Sequence, residues 1–101
     1  LSALTAMRAM NFTPGASTSF AVSDSGYLYR VTATVGAKEA IKTGLGTVNG
    51  WKIVPAIRDG KGQTVGRGLA VWISDDARRL PLRIQAQLPV GSFVLTLREA
   101  R

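Results

Sequence analysis

The sequence contains neither cysteine nor histidine. Disulfide frameworks, thiolate zinc sites, cysteine nucleophiles and Ser-His-Asp triads are therefore excluded. Acidic residues are scarce, six against thirteen lysines and arginines, which gives a net charge of +7 and a thin supply of general bases. No apolar run approaches the roughly 20 residues that a membrane-spanning helix requires. Residues Leu1 to Met10 lack the basic start and long apolar stretch of a signal peptide. What is present is 101 residues with 46% hydrophobic and 19% charged side chains, enough for a single domain over 1–101 and too short for two.

Leu1, Leu4, Met7 and Met10 recur every three residues, as on one side of a helix, and Asn11-Phe12-Thr13-Pro14-Gly15 ends it. The period then changes to two. Thr18 to Val22 and Tyr27 to Val35 flank Asp24-Ser25-Gly26 and read as a hairpin. Asn49-Gly50 is the strongest two-residue hairpin signal, expected to separate a short strand near Lys38 to Thr43 from one running from Trp51 to Arg58. Further strands are expected at Gly68 to Ile73, Leu82 to Leu88 and Ser92 to Arg98, with a break at Asp59 to Gln63. The expected fold is mainly β: an antiparallel meander of about seven strands forming a curved sheet or partial barrel, with one N-terminal α-helix. Phe20, Tyr29, Trp51, Leu69, Val71, Ile84, Leu95 and Leu97 are the expected inward residues. They fill the interior of a sheet with about seven short strands, so no closed ligand cavity is expected.

The segment ISDDARRLPLRI, Ile73 to Ile84, carries two adjacent carboxylates. Ser and Asp initiate turns by bonding backbone N–H groups two residues on, and Pro81 cannot donate to a central ladder. Adjacent carboxylates in a turn diverge, whereas acid/base pairs must converge on one site. Asp75 and Asp76 are therefore read as turn residues, with Arg78 and Arg79 solvated or paired with them. Gly60-Lys61-Gly62-Gln63-Thr64 lacks the spacing of a phosphate loop. Gly44 to Gly50 has one residue too many for a dinucleotide fingerprint and sits among strands. No catalytic residue, metal ligand or cofactor site is expected, and the chain reads as noncatalytic.

The block VWISDDARRLPLRIQAQLPVGSFVLTL contains Trp72, Ser74, Asp75, Asp76, Arg79, Pro81, Arg83, Ile84, Pro89, Gly91, Ser92 and Phe93 in a distinctive order. It resembles the C-terminal part of domain-of-unknown-function family 3108, a group of uncharacterised exported bacterial proteins. LSALTAMRAM and KTGLGTVNGWKIVP are similar to earlier segments of that family. The resemblance implies a periplasmic or otherwise exported protein, with a signal peptide and further strands ahead of Leu1. It implies no activity, so no catalytic residue carries over.

Function then rests on charge. Arg30, Lys52, Arg67, Arg83 and Arg98 come from different strands or strand ends, placed to line one polar face. The expected function is a cell-envelope binding or scaffolding module for lipid or another anionic envelope component. Its expected ligand groove lies between the sheet and the helix and involves Trp51, Trp72, Tyr29, Arg83 and Arg98. The alternative is a nucleic-acid-binding barrel in which aromatics stack on bases. The basic residues are too scattered to favour it, since no Lys/Arg run exceeds two. Self-association through exposed sheet edges is a further expected mode.

Overall fold

The computed structural model describes residues 3–24, 26–88 and 91–96. A helix, α1 (Ala3–Arg8), precedes seven strands: β1 (Ser17–Asp24), β2 (Tyr27–Thr43), β3 (Gly46–Arg58), β4 (Thr64–Val65), β5 (Arg67–Ser74), β6 (Pro81–Leu88) and β7 (Gly91–Thr96). They form one antiparallel meander in the order β1-β2-β3-β5-β6-β7, with the short β4 attached to β3. The sheet does not close, and its path ends at β1 and β7. No helix among the described residues is long and apolar enough to cross a membrane.

The two longest strands differ from their sequence expectation. Lys38 to Thr43 is not a separate strand but the distal half of β2. The hairpin turn is Gly44-Leu45, closed by the Thr43–Gly46 pair, while Asn49-Gly50 lies inside β3 opposite Ala40 and Glu39. Thr43 supplies the turn chemistry: its Oγ1 accepts the Leu45 N–H at 3.0 Å and donates to the Gly46 carbonyl at 2.8 Å. Gly46 takes a φ of +99°, a conformation side chains oppose. Gly50 is needed for close packing instead, because a Cβ there would lie 2.7 Å from Leu82 Cδ1.

Bulges explain how one sheet buries both of its faces. From Val35 to Lys38, β2 advances three residues while its partner advances two, from Ile53 to Trp51. The extra residue reverses which alternation faces the core. Before the bulge, Ala33 and Val35 join Ile53, Val71 and Ile73 beneath α1, whose Met7 and Met10 are buried against them. Beyond it, Ile41 packs on the opposite side with Ala70, Trp72 and Leu82. A second bulge, where Trp72–Ile73 meets Arg83–Pro81, turns Leu82 toward that side.

Of the expected inward residues, Val71 belongs to the helix-side core, and Phe20, Trp51 and Ile84 pack against it. Tyr29 and Leu69 are half-buried. The Leu95 side chain and all of Leu97 lie outside the described residues.

Candidate functional site: the open face of the sheet

The adjacent acids Asp75 and Asp76 diverge, as a turn requires. Asp75 accepts the Trp51 indole N–H and the Lys38 ammonium, both at 3.1 Å. Those two bonds, the indole first, hold its carboxyl below the usual carboxylate range. Asp76 accepts the Ser74 hydroxyl and the Arg78 backbone N–H on one oxygen and the Arg78 guanidinium on the other. The Arg78 side chain, followed by the Ser74 hydroxyl, lowers the Asp76 pKa from 3.8 to about 2. A depressed carboxylate pKa adds stability above the unfolded value and loses it as pH falls through the folded one. A carbon NMR titration should place the Asp76 midpoint near 2, with turn stability lost between about pH 4 and about pH 2.

Arg79 does not pair with these acids; it clasps the helix. Its Nη1 donates to the Arg8 and Met10 carbonyls at 2.6 and 2.7 Å, where the end of α1 leaves carbonyls without intrahelical partners. Arg8 reciprocates by donating to the Arg79 and Arg78 carbonyls. The Arg79 guanidinium also lies 4.2 Å from the centroid of the Phe12 ring. These contacts maintain Arg79 at φ +45°, an uncommon backbone state for a residue with a side chain. Arg79→Ala is expected to cost about 1.5–3 kcal/mol in urea unfolding. It should also speed hydrogen exchange at the Met10 amide, which bonds the Met7 carbonyl.

The residues expected to form a ligand groove do not gather in one place. Trp51 packs on the helix-side core, with Lys38 Nζ 5.4 Å from its ring centroid. Tyr29 lines a recess at the far end of the sheet with Tyr27, Leu28 and Lys61. Arg98 lies outside the described residues. Only Trp72 and Arg83 meet: they are opposed in register, and the guanidinium lies 5.3 Å from the ring centroid. Lys52, on the other side of Trp72 in the ladder, places its ammonium 5.6 Å from the same ring. Trp72 is 4% exposed and donates its indole N–H to Glu39 Oε2 at 2.9 Å. Arg83 Nε is buried without a hydrogen-bond partner, so the face of the indole is its main electrostatic compensation. Where the helix ends, a cleft of about 370 Å³ remains between Phe12, Ser74, Asp75, Asp76 and Arg79. The polar groups of Asp75, Asp76 and Arg79 there are already consumed by the turn and the clasp.

Strand register assembles a different surface. Lys52 and Arg58 have the same parity on β3, Arg30 lies directly opposite Arg58, and Arg83 lies two strands from Lys52 across Trp72. Arg30, Lys52, Arg58 and Arg83 therefore share the sheet face turned away from α1. Around them this face exposes the small or hydroxyl side chains of Ser17, Ser19, Thr34 and Ala56 together with the apolar Val54 and, at its end, Leu28, and Ser19 and Thr32 share a hydrogen bond at 3.0 Å. Among the described residues the ion pairs are Lys38–Asp75 and Arg78–Asp76, so none of the four bases is ion-paired with another described residue. Arg30, Lys52 and Arg83 were identifiable by strand alternation. Arg58 was overlooked, although its even spacing from Lys52 was the available signal. Of the other two bases expected on this face, the Arg67 side chain and Arg98 lie outside the described residues.

The family model described as Protein of unknown function (DUF3108) matches residues 1–98. The chain belongs to that family. No curated protein and no solved structure matches it. Within this member of the family, the motif residues that carry the resemblance have structural work: Ser74 and Asp76 shape the turn, Arg79 clasps α1, and Arg83 stacks on Trp72.

Proposed function

We propose that this chain is a noncatalytic, exported cell-envelope module that binds an anionic component of the envelope through the open face of its sheet. The observation that carries the reading is the direct opposition of Arg30 and Arg58 on the face shared with Lys52 and Arg83. Like charges facing each other across a ladder destabilise a sheet, and an anionic ligand reverses that penalty. Four acids support a noncatalytic role by being engaged already: Glu39 with Trp72, Asp59 within its own turn, and Asp75 and Asp76 as described. Export belongs to this reading and rests on the likeness of the sequence motifs to exported proteins. Self-association is a secondary role for β1 and β7, which end the sheet path.

The nucleic-acid alternative draws little support from the placement of the aromatics. Trp72 is buried, while Tyr29 and Trp51 alternate to the helix side, so the open face offers no described stacking platform. The test is cosedimentation with phosphatidylglycerol-containing and purely phosphatidylcholine vesicles at low and high salt. Binding to the anionic vesicles is expected to weaken roughly tenfold or more as salt shortens the screening length from about 30 to about 3 Å. Equal binding to both vesicle types, or binding indifferent to salt, contradicts the reading.

A further inference from the structure

At one end of the sheet, apolar side chains stand in water beside a cluster of bases. Tyr27 and Leu28, at the start of β2, are 67% and 60% exposed, and Val65 on β4 is 37% exposed. The start of β2 and the loop from Asp59 to Gln63 flank one recess of about 500 Å³, which includes Tyr29 and Lys61. By strand alternation Leu28 falls on the face of Arg30 and Tyr27 and Val65 on the helix side, so exposed apolar groups stand on both faces of this tip, and a cluster of such groups marks an interaction surface.

The chemistry around this tip selects its occupant. Arg58 donates to the Gly62 carbonyl at 3.0 Å, which draws its guanidinium onto the loop, and Arg30 lies opposite it. Lys61 adds a third cation. Two acids lie at this end against those three bases: Asp24, opposite Tyr27 in the hairpin, and Asp59, whose Oδ1 accepts the N–H groups of Lys61 and Gln63 and so shapes the loop. An apolar tip collared by cations is complementary to a bilayer, with hydrocarbon beneath a layer of anionic headgroups. Tyrosine suits that boundary, having an apolar ring and a polar end. Lys52 is six residues from Arg58 along β3, roughly 20 Å at strand rise, and so stands clear of the headgroups when the tip is inserted.

We infer that the protein docks end-on to an anionic membrane, inserting Tyr27 and Leu28 into the interface while Arg30, Arg58 and Lys61 contact headgroup phosphates. This rests on the proposed anion binding and names the membrane as its partner. Tyr27→Trp provides a reporter, read against wild-type emission on vesicles of mixed phosphatidylcholine and phosphatidylglycerol. The added emission should shift to the blue and be quenched by lipids brominated near the headgroup end of the acyl chain. Leu28→Ser, at an exposed position that leaves the core intact, should weaken vesicle binding about tenfold. Salt-sensitive vesicle binding without quenching, and unchanged by Leu28→Ser, overturns the insertion and leaves the open-face reading standing. Binding to a soluble polyanion such as dextran sulfate but not to vesicles does the same. Binding to neither overturns both.

Discussion

Gly50→Val is expected to lower the unfolding free energy by about 3 kcal/mol, near the upper end of the usual range for overpacking a core. A Cβ at this position would sit 2.7 Å from Leu82 Cδ1 and 3.2 Å from the Ile73 carbonyl oxygen. Leu82 has no solvent-exposed surface, so its methyl has nowhere to retreat, and the carbonyl belongs to a paired strand. Leu82→Ala should itself cost about 2–5 kcal/mol through the cavity it leaves. Combined with Gly50→Ala, it should cost less than the sum of the two single changes, because the lost methyl makes room for the gained one. Urea unfolding of the four proteins measures this coupling. Asn49, exposed in mid-strand and not in a turn, should tolerate Thr with little effect.

The second large effect separates binding from stability. Replacing Arg30 and Arg58 together by alanine should weaken binding to anionic vesicles roughly thirty-fold, at about a factor of five for each base near such a surface. The same double variant should unfold no more readily than the wild type, because it removes a like-charge pair lying directly across the ladder. The Arg58 bond to the Gly62 carbonyl is exposed and offsets little of that relief. Parallel vesicle titrations and thermal melts check both halves. A variant that loses stability while keeping its affinity would assign the two arginines to the fold instead.

Alternation and turn chemistry made the architecture legible in the sequence. The change from a three-residue to a two-residue period located the helix and the sheet, and the Asp59 to Gln63 break is a turn held by the Asp59 carboxylate. Asn49-Gly50 misled because the same dipeptide that favours a tight turn also supplies the smallest side chain, and Leu82 needs that space. Nothing near Gly50 in sequence announces Leu82, thirty-two positions away. The bulge after Val35 was invisible for a similar reason: it joins what read as two strands into one and hands Ile41 to the opposite core.

The site was legible only in part. Alternation along β2, β3 and β6 was enough to place Arg30, Lys52 and Arg83 on one polar face, since parity is a local property. Which aromatics accompany them depends on register between strands and on how the sheet folds over itself. Trp51 and Trp72 therefore looked equivalent, yet one binds Asp75 on the helix side and the other lies buried beneath Lys52 and Arg83. Arg79 looked like a partner for the neighbouring acids because sequence proximity favours such pairs. The orphan carbonyls at the end of α1, about seventy residues earlier, outcompete them.

An NMR titration of the 101-residue protein with a short-chain phosphatidylglycerol, kept below its micelle concentration, bears most directly on the open face. The expected shifts centre on the amides and guanidinium groups of Arg30 and Arg58, extend to Lys52, Arg83, Ser19 and Thr32, and disappear in high salt. Shifts confined to the cleft around Phe12, Asp75 and Arg79, or none at millimolar lipid, would contradict binding by the open face.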